Sequence, residues 1–196
     1  MASSGVEEGL YTNAGFGAPW FVTGTTTSNG YLLLWVTEIS DSVIRTMSTS
    51  GYWRTLAGGA GDNAYVDGSG TVAKFDRPSG ICFGPGDSLY VVDTANNAIR
   101  VVTLAGGDSC CCCLFYFQFC VPVKSSVMLL LMYLCVLFIV VTTLAGSPSG
   151  TPGYNNGIGT NASFVVPTNI AVSFFEDTLY VCDTSTVRKI SVSTSM

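Results

Sequence analysis

The sequence predicts an all-β repeat protein, and three observations predict it. A block of the chain recurs: YVDGSGTVAKFDRPSGICFGPGDSLYVVDTANNAIRVV, Tyr65 to Val102, returns as YNNGIGTNASFVVPTNIAVSFFEDTLYVCDTSTVRKI, Tyr154 to Ile190. A worn pass, LLWVTEISDSVIRTM, lies upstream at Leu33 to Met47. Self-similarity over a long period marks a protein built from copies of one unit. Within each copy, short runs of β-branched and aromatic residues suit a pleated strand. The 22 Gly and seven Pro punctuate the chain between those runs, where turns need them.

The elements run in chain order. Residues 1–18 are small, polar and Gly-rich and read as a flexible lead-in. Trp20 to Thr23, Tyr31 to Val36, Val43 to Met47 and Tyr52 to Leu56 read as four strands joined by tight turns, one antiparallel meander. Gly58 to Ala73 is a long Gly/Asp/Asn loop. The middle copy then repeats the plan: an Arg77–Gly80 turn, an inner strand at Ile81–Phe83, a GPGD turn with Pro85 preset for it, then strands at Leu89–Val92 and Ala98–Val102.

The repeat spacing exposes an insert. Arg45 and Arg100 are 55 residues apart, but Arg100 and the equivalent Arg188 are 88 apart. The surplus of 33 falls between Arg100 and the TLAG at Thr143–Gly146, hence between the third and fourth strands of the middle meander. A duplicate TLAG at Thr103–Gly106 marks its start. The expected organisation is therefore a lead-in at 1–18, repeats at 19–107, a hydrophobic insert at 108–141, and the end of the second repeat with a truncated third at 142–196.

Composition sets limits on function. The chain has 196 residues, enough for one domain with a core; it is 48% hydrophobic and 11% charged, the apolar excess lying in Leu114–Val141. A net charge of −5 with eight basic residues gives no basic field for nucleic acid. There is no histidine, which removes the commonest general base and the commonest metal ligand. Neither a catalytic residue nor a cofactor is expected. Of eight cysteines, Cys110 to Cys113 are consecutive and Cys120 and Cys135 sit in the apolar block. Cys82 and Cys182 fall in expected strands, where a buried free thiol packs as a small hydrophobe. The start, MASSGVEEGLY, lacks the apolar region of a secretory signal.

The spaced motifs Asp67-Gly68, Gly70, Ala73, Phe75, Pro78, Gly80-Ile81, then Leu89-Tyr90-Val91, Asp93-Thr94, Asn96, Ile99-Arg100, then VTTLAG, resemble the NHL-repeat family. The third copy keeps Gly157, Gly159, Ala162, Phe164, Pro167, Ile170, Leu179, Tyr180, Val181, Asp183, Thr184 and Arg188. One departure is that the family's Asn-His pair reads Asn96-Asn97. The resemblance implies four-stranded blades of a β-propeller, commonly six around a channel. The chain offers about two to three, an incomplete arc that needs further blades or self-association to close, since propellers typically use about 4–8.

Several motifs carry a sharp and a plain reading. Gly68-Ser69-Gly70 with Ala73, and Gly157 to Ala162, match GxGxxG/A, but a dinucleotide site needs a strand before and a helix after. Recurrence in phase makes Gly68, Gly70, Gly157 and Gly159 blade architecture. Glu38, Asp93 and Asp183 end one strand, and Arg45, Arg100 and Arg188 lie on the next. The plain reading is one acid–arginine pair per blade; the sharp one is a ring of charge at a ligand face. Ala64 and Val66 break a calcium pattern around Asp62, Asn63 and Asp67. Cys110 and Cys113 form a CxxC without a second pair, and the Cys110, Cys111, Cys112, Cys113 run is a candidate for S-palmitoylation. Asn161-Ala162-Ser163 is a glycosylation sequon.

The insert admits three readings: a helical transmembrane span over Val123–Val141, a re-entrant hairpin, or a segment foreign to the fold. A span would separate two strands that must pair at about 4.8 Å by a hydrocarbon core about 30 Å thick. Localisation depends on the choice: membrane if the span is genuine, otherwise cytoplasmic. The expected function is a non-catalytic platform for a protein partner. The alternatives are a membrane-anchored sensor or adaptor held by Val123–Val141, and a lyase-like enzyme. The last is disfavoured because the related lyases rely on histidine and metal.

Overall fold

The computed structural model describes residues 7–26, 30, 32–48, 50–104, 139–173 and 178–192, which form three antiparallel sheets. The first contains β1 (Gly9–Leu10), β2 (Pro19–Thr26), β3 (Leu32–Glu38), β4 (Val43–Met47) and β5 (Tyr52–Ala57), ordered β1-β5-β4-β3-β2. The second contains β6 (Gly68–Ser69), β7 (Pro78–Gly84), β8 (Ser88–Asp93), β9 (Ala98–Leu104) and β10 (Ile139–Ala145), ordered β6-β10-β9-β8-β7. The third contains β11 (Pro167–Ser173), β12 (Thr178–Asp183) and β13 (Thr186–Ser191) in sequence order.

These sheets are blades 1, 2 and 3, and their registers coincide. Glu38 faces Val43, Asp93 faces Ala98 and Asp183 faces Thr186. A proline opens each inner strand opposite that acid: Pro19, Pro78 and Pro167. Proline donates no hydrogen bond, so the first residue of a strand is where it fits. The inner strand β7 packs beside β2 on one side and β11 on the other, so the blades are arranged around their inner edges.

The core lies between blades. Leu33, Trp35 and Ile44 of blade 1 meet Ile81, Leu89 and Val91 of blade 2. Tyr90, Val92 and Ile99, on the opposite face of blade 2, meet Ile170, Leu179 and Val181 of blade 3. Each such side chain contributes roughly 1.5–3 kcal/mol on burial. The Trp35 and Phe83 rings stack at 5.3 Å. Polar bonds stitch neighbouring blades: the Thr37 hydroxyl of β3 donates to Ser79 O of β7 at 2.6 Å, and the Ser79 hydroxyl to Thr168 O of β11 at 2.7 Å. Gly80 permits this approach, since a Cβ there would stand 2.7 Å from Asn169 Cα. Cys82 is buried between blades 2 and 3, which pushes its thiol up to about 12, whereas Cys182 is exposed rather than buried as expected.

Two expectations need correction. The transmembrane helix expected over Val123–Val141 is corrected at its described end, where Ile139–Val141 form strand, and among the described residues no helix is long and apolar enough to cross a membrane. The end of that stretch, Ile139–Val141, opens β10 and pairs with β9 and β6. Burial alternates as a strand requires, with Ile139 at 6%, Val140 at 39% and Val141 at 0% exposed. A short apolar run fits a buried strand as well as a helix, and pairing decides for the strand. Residues 105–138, with the helical reading of the insert and the lipidation sites Cys110–Cys113, lie outside the described residues. The second correction is the lead-in. Residues 7–18 are a third copy of the long loop: β1 pairs with β5 as β6 pairs with β10, and Glu7 bridges Gly15 as Val66 bridges Lys74.

Candidate functional site

Each blade holds one arginine on its third strand that fastens the preceding surface loop. In blade 2, Arg100 pairs with Asp93 at 2.8 Å, both side chains fully buried. Its other donors reach Lys74 O at 3.1 Å, Val66 O at 3.0 Å and Asp67 at 2.5 Å. The guanidinium also lies 4.9 Å from the Tyr65 ring centroid and 5.3 Å from that of Phe75. A planar fork of five donors can satisfy carbonyls and carboxylates together, which a lysine cannot.

The same construction recurs. In blade 1, Arg45 pairs with Glu38 at 3.0 Å and donates to Gly15 O and Glu7 O at 2.9 and 3.0 Å. In blade 3, Arg188 pairs with Asp183 at 3.3 Å and donates to Ser163 O, to Asn155 O at 2.9 Å and to Asn156 Oδ1 at 2.9 Å. A phenylalanine supports each cation, with Phe16 at 5.0 Å and Phe164 at 4.7 Å. The acids are held in turn by a loop amide: Gly17 N donates to Glu38, Asp76 N to Asp93 and Val165 N to Asp183. Burial dominates the Asp93 carboxyl and pushes it up to about 6, against the opposing pull of Asn96, the Asp76 amide and Arg100.

The glycines shape the anchored loop. A Cβ on Gly157 would stand 2.9 Å from Asn161 backbone, and one on Gly68 would press Val72 Cγ1 at 3.3 Å. The second glycine of each pair is left-handed, Gly70 at φ +49 and Gly159 at φ +58. That glycine opens a single 3-10 turn, Gly70–Val72 or Gly159–Asn161, not the helix a pyrophosphate needs. Asn97, where the family has histidine, links blades: its Nδ2 donates to Gly150 O at 2.9 Å and its Oδ1 accepts from Val166 N at 2.8 Å.

The blade 1 anchor to Glu7 and Gly15 was missed in the sequence. Its signal was Gly9, Thr12, Asn13, Ala14, Phe16 and Pro19, which match Gly157, Thr160, Asn161, Ala162, Phe164 and Pro167 in order and spacing.

Among the described residues no group of three His, Cys, Asp or Glu is placed to hold a metal. The anchored loops carry exposed apolar side chains: Leu10 at 49%, Val72 at 65% and Ile158 at 90%.

A family model described as NHL repeat matches residues 75–102. No curated protein matches the chain. Among solved structures, the chain is similar to an auxiliary nutrient binding protein from Bacteroides thetaiotaomicron, with TM-score 0.60, 21% identity, 92% of this chain and 39% of that one. An auxiliary nutrient binding protein from Bacteroides ovatus gives TM-score 0.60, 22% identity, 89% of this chain and 37% of that one. A candidate phosphatase from Bacteroides thetaiotaomicron gives TM-score 0.59, 17% identity, 90% of this chain and 36% of that one. The chain thus spans less than two fifths of each, and likeness at this identity shows the fold alone. The repeat match falls on β7 to β9, so the chain carries an NHL repeat at residues 75–102, set among three in-register sheets of an all-β, propeller-like arc.

Proposed function

We propose that this chain is a non-catalytic binding platform whose anchored loops hold a protein partner. The observation that carries the reading is the guanidinium anchor repeated in all three blades. It spends the buried charges of each blade on fixing a surface loop: Glu38 and Arg45, Asp93 and Arg100, Asp183 and Arg188. Loops on a stiff scaffold are where recognition residues commonly sit, and a loop ordered beforehand loses less entropy on binding. Val72 and Ile158 project from these loops at 65% and 90% exposure, as apolar anchors of an interface would. The structures named as nutrient binding proteins share the fold and support a binding role in general.

The test compares the wild-type chain with a Val72→Asp, Ile158→Asp variant as baits, each first checked for native β signal by circular dichroism. A partner retained by the wild type and lost by the variant supports the reading. Equal retention by both, with the fold intact, overturns it.

A further inference from the structure

We infer that Asn156-Gly157 is a site of spontaneous deamidation, at which water turns the Asn156 amide into a carboxylate and gives the blade 3 anchor the second acid that blade 2 already has. The two anchors carry the inference. In blade 2, Arg100 holds Asp67 at 2.5 Å in addition to Asp93. In blade 3, Arg188 holds the amide oxygen of Asn156 at 2.9 Å in addition to Asp183. Asp67 and Asn156 occupy the same loop position, each just before the first glycine of its loop.

The position is open to the reaction. Asn156 and Gly157 are both exposed. That exposure belongs to the loop position itself, since the Asp67 side chain keeps 49% exposure with β10 paired against the loop that carries it. Glycine has no Cβ, so its amide nitrogen meets the preceding side chain unhindered. Packing keeps glycine there, because a Cβ on Gly157 would stand 2.9 Å from Asn161 backbone. Asn161 is exposed in the same loop but is followed by Ala162, which makes it an internal reference.

The conversion needs only water. The Gly157 nitrogen gives its proton to solvent and bonds to Asn156 Cγ. The Cγ–Nδ2 bond breaks and ammonia leaves, closing a cyclic imide. Water then opens the imide: attack at Cγ restores the ordinary main chain with aspartate, and attack at the main-chain carbonyl gives isoaspartate. Arg188 Nη2 donates to Asn156 Oδ1, the oxygen on which negative charge builds during either attack at Cγ. A donor already fixed at that oxygen favours both steps at Cγ, and so favours aspartate. The product carboxylate stays on the guanidinium as a charge-assisted pair, in the arrangement that Asp67 and Arg100 already adopt.

The experiment ages the full chain in mildly alkaline buffer and follows each asparagine by peptide mass spectrometry, with fragmentation that separates aspartate from isoaspartate. The expected result is acid at position 156 several-fold sooner than at Asn161, mostly as aspartate. The aspartate share should fall when the same chain is aged in urea, and in an Arg188→Lys variant that keeps native circular dichroism. An amide at 156 that lasts as long as that of Asn161 overturns the proposal. So does an aspartate share that is the same in native and urea-unfolded chain, which would mean that Arg188 takes no part. The urea comparison needs no variant, so it stands if Arg188→Lys fails to fold. Separately, Asn156→Asp should raise the Tm of the chain, and an unchanged or lowered Tm contradicts the gain of a second acid for Arg188.

Discussion

Blades 2 and 3 are built from nearly the same run of sequence and live in different surroundings. Tyr90 and Tyr180 occupy the same strand position, yet one is 3% exposed and the other 40%. The Asp93–Arg100 pair is fully buried at 2.8 Å and gains a second carboxylate from Asp67, itself held by Thr143 of β10. The Asp183–Arg188 pair is looser at 3.3 Å, its arginine 13% exposed, and Asn156 stands where blade 2 has Asp67. Burial is thus a property of the neighbour and not of the motif: blade 2 is sandwiched, and blade 3 is covered on one face among the described residues.

The largest way to break this comparison is to remove the arginines. Arg100→Ala leaves Asp93 buried and unpaired, which costs about 3–5 kcal/mol. Arg188→Ala, partly solvated and with one carboxylate partner, should cost about 1–2 kcal/mol. Chemical denaturation of both variants checks the ordering, and equal losses would sink the contrast. A smaller effect is expected at the junction of the two blades. In Gly80→Ala the new methyl meets Asn169 backbone, and overpacking of this kind costs about 1–3 kcal/mol. Gly86→Ala, at a left-handed turn with nothing within 4 Å, is the control that separates crowding from backbone strain.

The subtlest effect is on pH. Asp93 titrates at about 6 when folded, and an unfolded aspartate at about 3.9. Between those values the native state binds a proton that the unfolded chain does not. Its contribution to stability is therefore present below the window and falls as pH rises through it. The slope is at most about 1.4 kcal/mol per pH unit, and above pH 6 it vanishes. Subtracting the stability profile of Asp93→Asn from that of the wild type should isolate this slope; a flat difference between pH 4 and 6 contradicts it.

Much of this was legible in the sequence because strand and turn residues act locally. The strands of blades 1 and 2 follow the β-branched runs, and the fourth strand of blade 2 lies at the displaced TLAG. The Asp93, Arg100, Asp183 and Arg188 spacing placed acid and arginine on adjacent strands, where they meet. Other features were hidden for physical reasons. The first copy of the loop lost its second glycine, since Tyr11 holds the left-handed position at φ 43, so the GxG signature was broken. Ile139–Val141 looked like the end of an apolar span because hydropathy cannot distinguish a core strand from a membrane segment. The exposure of Cys182 depends on which blade lies opposite, and no residue near it in sequence records that.

The claim at the centre of the account is that one guanidinium pins each surface loop. Arg100→Lys keeps the charge but loses the fork that holds Val66 O, Lys74 O, Asp67 and Asp93 at once. Amide hydrogen exchange on this variant tests it most directly. The account predicts faster exchange at Lys74 and Asp76, whose amides are bonded to Val66 O and the Asp93 carboxylate, with β7 and β8 still protected. Unchanged exchange at those two amides, or a uniform loss across blade 2, would contradict it.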